Sequence, residues 1–175
     1  MNPITPEQAA FLLQYMLPSV KNEHRATRAV IDAIPQANME YRPDPHSKSA
    51  MELAWHIVAT EQRFYAGIAA GAFDFSPIHR PENVQTPTQI GQWFDDSFAK
   101  NFDALTKLSG EQLARVIDFR GIFQLPAVAF LNFVLNHSIH HRGQLSTYLR
   151  AMGGKVPAIY GESYDSAEAK KSAKA

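Results

Sequence analysis

The chain has 175 residues, 17 Lys+Arg against 17 Asp+Glu, and no cysteine. The length suits a single domain. The balanced charge argues against a nucleic-acid binder or a polybasic membrane-surface protein, and the missing thiols exclude cysteine-ligated zinc, iron–sulfur clusters and a cysteine nucleophile.

Helix-start signals divide the chain. A Ser or Thr followed three residues later by Glu or Gln can satisfy two free backbone N–H groups reciprocally. Thr5–Gln8, Ser49–Glu52, Thr86–Gln89 and Ser109–Gln112 all fit, and Pro6 and Pro87 stand at the first helical position, where the missing N–H costs nothing. The first helix is expected from about Pro6 to Ile34, with Leu13, Leu17, Val20, His24, Thr27, Ile31 and Ile34 on one face. Pro18 predicts a kink or break within it. Phe11, Leu12, Tyr15 and Met16 add apolar surface beyond that face, which suits a dimer contact or a deeply buried kinked helix.

The second helix is expected from about Ala50 to Ala70, with Leu53, His56, Ile57, Thr60, Phe64 and Ile68 on one face. The third runs from about Pro87 to Leu108 on Ile90, Phe94, Phe98, Phe102 and Leu105. A short helical turn follows over Gly110 to Ile117. The last helix begins near Pro126 and stops at Gly153-Gly154, with Phe130, Phe133, Val134, His137, His141, Leu145, Tyr148 and Met152 inward. No strand pair is expected. The fold class is therefore all-α, a four-helix bundle over residues 1–161. Long connections after the first and second helices allow a crossing at the bundle end. Residues 162–175 have little to bury and read as a flexible tail. No apolar run is long enough to span a membrane, and the start lacks a secretory pattern, so a cytoplasmic location is expected.

The seven histidines carry the functional signal. His137 and His141 are four residues apart, which puts both imidazoles on one helix face. Two imidazoles so placed can share a metal ion, or be core histidines bonded to polar neighbours. His56, mid-helix among apolar residues, offers a third nitrogen, since a bundle interior is costly for polar groups unless they are paired or hold metal. Three imidazoles leave positions open for water or substrate. His140 rivals His141 for the same ion, and His24 is read as a packed, hydrogen-bonded histidine. His46 and His79 lie in proline-flanked loops and are expected to be exposed. Glu61 is expected to be a solvated surface residue, Arg142 to pair with a carboxylate of a neighbouring helix, and Gly143 to serve either close approach or local packing.

The stretch Asn136-His137-Ser138-Ile139-His140-His141-Arg142-Gly143-Gln144 resembles the HxxxHRGQ motif of the DinB-like, YfiT-related metal-binding family, and Ser49 to Ile57 resembles its second-helix histidine segment. The resemblance implies a four-helix bundle, usually dimeric, with one divalent metal ion (zinc, nickel or iron) on His56, His137 and His141. It implies a thiol-dependent transferase or isomerase, or a hydrolase, with a non-catalytic metal- or ligand-binding stress-response protein as the alternative. Ser138 departs from the zinc peptidase pattern, whose helix carries a Glu between the two histidines. A small-molecule substrate is expected, and any thiol must arrive as a low-molecular-weight cosubstrate, because the chain supplies none.

Overall fold

The computed structural model describes residues 4–173. Residues 1–3 and 174–175, which the readings of the start and the tail include, lie outside the described residues. All four expected capping boxes form, opening α1 (Pro6–Asp32), α2 (Ala50–Ala70), α3 (Pro87–Thr106) and α4 (Gly110–Ala114). The last long helix, α5 (Phe130–Ala151), follows a short 3-10 turn over Ala127–Ala129. Of the kink or break expected at Pro18, no break forms: α1 runs continuously through it. Pro18 and Gln14 both face outward, so the carbonyl that the proline leaves unbonded can meet solvent.

The four long helices form the bundle. Helix α1 packs against α3 and α5, and α2 packs against the same two, so α1 and α2 stand diagonally opposite. The segment 33–49 therefore crosses the bundle end. The core lies in two clusters. One gathers Leu13, Phe64, Leu113, Phe130 and Val134, and the other gathers Ile31, Leu53, Ile57, Phe94 and Leu149.

Two elements differ from the sequence reading. A hairpin joins β1 (Val116–Phe119) and β2 (Phe123–Pro126), antiparallel, with Phe119 opposite Phe123. Its turn needs left-handed backbone at Arg120 (φ 58°) and Gly121 (φ 69°), and the Asp118 carboxylate accepts the Gly121 N–H at 2.9 Å. Phe119 closes the bundle end by packing on Phe64, Phe73 and Phe130. Where a loose tail is expected, α6 (Tyr164–Ser172) forms instead. Ser163 caps it with Ser166 as the reciprocal partner, a pairing outside the Glu/Gln pattern. Asp165 ties α6 back by accepting from Val156 N at 2.9 Å and Arg150 at 3.2 Å.

Candidate metal centre

The helical wheel explains where each polar side chain lands. Residues step by about 100° around an α-helix. On α2 the buried residues centre on Ile57, Phe64 and Ile68, and on α5 they centre on Leu131, Val134, Leu145 and Leu149. His56, His137 and His141 therefore sit at one edge of each buried face and are half-buried. The inward frame expected for α5 is rotated: Ser138 and Arg142 occupy the middle of that face at 1% and 2% exposure.

The two edges meet. His56 Nε2 lies 3.0 Å from His137 Nε2 and 3.2 Å from His141 Nε2. Two ligands of a tetrahedral ion with metal–nitrogen bonds of about 2.0–2.1 Å are about 3.3 Å apart, close to both His56 spacings, and all three ligand nitrogens lie within 4.8 Å of one another. The His141 Nδ1–H donates to Gln144 Oε1 at 2.7 Å, which leaves the His141 Nε2 lone pair free. Gln144 is the residue the sequence reading passed over, although its position one turn beyond His141 is the local signal for it.

All three imidazoles are held neutral, the form that can ligate. Burial, then the charge of His141, brings His56 to about 4. Burial, then the charges of His141 and His56, brings His137 to about 3. Burial also lowers His141, against the Gln144 hydrogen bond that raises it.

The other histidines fall elsewhere. His140 is exposed, its ring 4.8 Å from that of His141. His24 Nε2 bonds Asp95 at 3.0 Å and its ring stacks on Phe98 at 3.8 Å, so it is a packed histidine as expected. His46 and His79 are exposed. Arg142 makes the expected helix-to-helix pair, 2.7 Å from the Glu23 carboxylate of α1, and also donates to Tyr160 Oη at 2.5 Å. An added Cβ at Gly143 would meet no described atom within 4 Å, so the close-approach reading finds no support within this chain.

Glu61 corrects the sequence reading. It is 3% exposed rather than solvated. It stands about 140° from His56 around α2, and that direction is the centre of the buried face, not solvent. Burial raises its carboxyl to about 7, against the opposing charge of Arg142. Its Oε2 and the Ser138 Oγ have no hydrogen-bond partner among the described residues.

The DinB family model matches residues 8–172. Among curated proteins, YrdA of Bacillus subtilis (strain 168), itself uncharacterized, is 28% identical over 154 residues, covering 85% of this chain and 88% of YrdA. YjoA of the same strain, also uncharacterized, is 32% identical over 133 residues, covering 74% of this chain and 84% of YjoA. The crystal structure of the DinB-like YjoA superposes with a TM-score of 0.71 at 24% identity, covering 85% of this chain and 99% of that one. A DinB-like protein of Bacillus cereus ATCC 10987 gives 0.70 at 24% identity, covering 83% and 95%. The likeness in fold and the family match over nearly the whole chain agree with the three-histidine arrangement: this chain belongs to the DinB family.

Proposed function

We propose that His56, His137 and His141 hold one divalent metal ion, zinc, nickel or iron, and that the chain is a metal-dependent enzyme of the thiol-dependent transferase, isomerase or hydrolase kind. The observation that supports the reading is the convergence of the His137 and His141 Nε2 atoms on that of His56, at 3.0 and 3.2 Å, at the edge of a cleft of about 470 Å³ that His56 itself lines. A closed structural site would take a fourth protein ligand, and no further Asp, Glu or His joins the three among the described residues.

The ion would supply positive charge that favours the deprotonated form of a water or thiol brought against it. The chain's own residues do the positioning. Gln144 holds the His141 ring through Nδ1, and burial keeps all three rings unprotonated. Ser138 points to the bundle centre and cannot act as the base that a zinc peptidase places there. We also assign the exposed Phe11, Leu12 and Tyr15 of α1 to a contact with a second copy. Light scattering that finds only monomer overturns that assignment.

Metal analysis of tag-free protein purified without added metal tests the centre. About one divalent ion per chain is expected, lost in His56→Ala and in His141→Ala, and kept in His46→Ala and His79→Ala. Metal retained in His141→Ala would move the third ligand to His140. For catalysis, small thiols should raise the melting temperature of loaded protein, and chelation should remove the shift. No shift with any thiol favours a non-catalytic binding protein.

A further inference from the structure

The cleft beside the triad is built on the exposed flank of α2. Lys48, Trp55, His56, Thr60 and Arg63 line one side, and Ile78 of the loop 71–86 lines the other. The loop is pinned. Trp55 Nε1 donates to Ile78 O at 3.1 Å, and Arg63 donates to Asp74 O at 3.0 Å and Ser76 O at 2.7 Å. A cleft held open by such contacts, of about 470 Å³, is the size that small-molecule sites take.

Its charge is one-sided. Glu52 also lines it, but Arg42 takes that carboxylate at 2.8 Å, and Ser49 N takes its second oxygen at 2.9 Å. Lys48, just before the Ser49 cap, is exposed and left unpaired among the described residues. Lys48 and His56 line the same cleft, which puts the Lys48 side chain on the space beside the triad. Arg63 gives its Nε and one Nη to carbonyls, which carry no full charge, and its positive charge is only partly offset by the Asp74 carboxylate, which it helps to hold ionised.

We propose that this cleft takes a small anionic ligand, a carboxylate carrying a second donor atom that reaches the open side of the triad, with Lys48 as the charge contact and Arg63 adding to the field. The inference rests on the metal-centre reading above and goes further by naming the ligand class and the residue that selects it.

Cobalt-substituted protein provides the test, read by its visible absorption at low ionic strength. Three probes share one donor and differ in charge: 3-mercaptopropionate, 2-mercaptoethanol and cysteamine. Lys48→Gln should weaken 3-mercaptopropionate by about fivefold, a fitting size for a partly exposed charge contact, and leave 2-mercaptoethanol and the cobalt stoichiometry unchanged. Lys48→Glu should shift the preference further, towards cysteamine. Added salt should erase the difference between the probes. If Lys48→Gln weakens all three probes equally, or none, the anion site is overturned while the metal centre stands. If the unaltered protein takes up no cobalt, the metal centre fails and the anion site with it.

Discussion

Two sets of half-buried imidazoles in one bundle show how a structural histidine differs from a ligand. His24 lies between α1 and α3, bonded to Asp95 at 3.0 Å and stacked on Phe98 at 3.8 Å, and the same Asp95 accepts from Arg28 at 3.0 Å. A carboxylate on Nε2 and an aromatic face hold that ring, while its Nδ1 has no hydrogen-bond partner among the described residues. Among the described residues, no carboxylate bonds the imidazoles of the triad between α2 and α5. Its nitrogens face one another at 3.0 and 3.2 Å, and among the described residues the one side-chain partner outside the triad that holds a ring is Gln144. Lone pairs brought together this way repel unless a proton or a cation stands between them. A neutral ring can bridge one such gap with its own N–H, and burial disfavours a further, charging proton, whereas one cation would satisfy all three lone pairs together.

The largest expected effect tests that difference directly. Ligand held at about a thousand times its dissociation constant stabilises by ~4 kcal/mol, or about 10 °C in a chain of this size. Chelation should therefore lower the melting temperature by about 10 °C in the unaltered protein and in His24→Gln. The same chelator should do nothing to His137→Ala. A chelator-sensitive His137→Ala would put the ion somewhere else. Next in size is Arg142→Ala. This residue neighbours His141 but belongs to the structural kind, buried against Glu23 at 2.7 Å. Removing one partner of a buried pair costs about 3–5 kcal/mol. Urea unfolding should show that loss while the metal content stays unchanged, and the double variant Glu23→Gln/Arg142→Met should recover most of it. Loss of metal in folded Arg142→Ala would erase the boundary between the two regions.

The parts of this picture legible in the sequence are the local ones. A capping box is decided within four residues, so four helix starts could be read directly. His137 and His141 could be paired because their spacing is one helical turn. The rotation of a helix about its own axis is a tertiary quantity. The apolar stripe of α5 can be drawn through the histidines or through Ser138 and Arg142, and only the packing of α1 and α2 decides between them. The same ambiguity put Glu61 in solvent. The cleft needs loop 71–86 laid against α2, a contact no periodicity encodes. The hairpin escaped because four-residue strands leave little alternation to read and its turn uses Arg120 at positive φ.

A smaller effect separates Gln144 from the ligands it supports. Losing an outer hydrogen-bond partner of a metal histidine lowers metal affinity by about 10–100-fold. Gln144→Ala should fall in that range by competition with a chromophoric chelator, while still binding about one ion when saturated. Gln144→Glu keeps an acceptor for the Nδ1–H and should restore the affinity. Equal affinity in Gln144→Ala and the unaltered protein would mean that packing alone orients the His141 ring.

The smallest effect is a pH dependence that belongs to His24. Burial holds its imidazole below 6.5 in the folded chain, against the Asp95 hydrogen bond and charge that pull it up. Below pH 6.5 the unfolded chain takes up a proton there that the folded chain resists, so stability falls as the pH falls, and above that range the group contributes no slope. One group gives at most about 1.4 kcal/mol per pH unit. His24→Gln keeps a donor for Asp95 but removes the titration. The difference in unfolding free energy between His24→Gln and the unaltered protein should be flat from pH 8 to about 6.5 and grow in favour of the variant below it. A difference that stays flat to pH 5 would mean that the Asp95 carboxylate fully offsets the burial. His24 would then titrate like a solvated histidine despite its packing between α1 and α3.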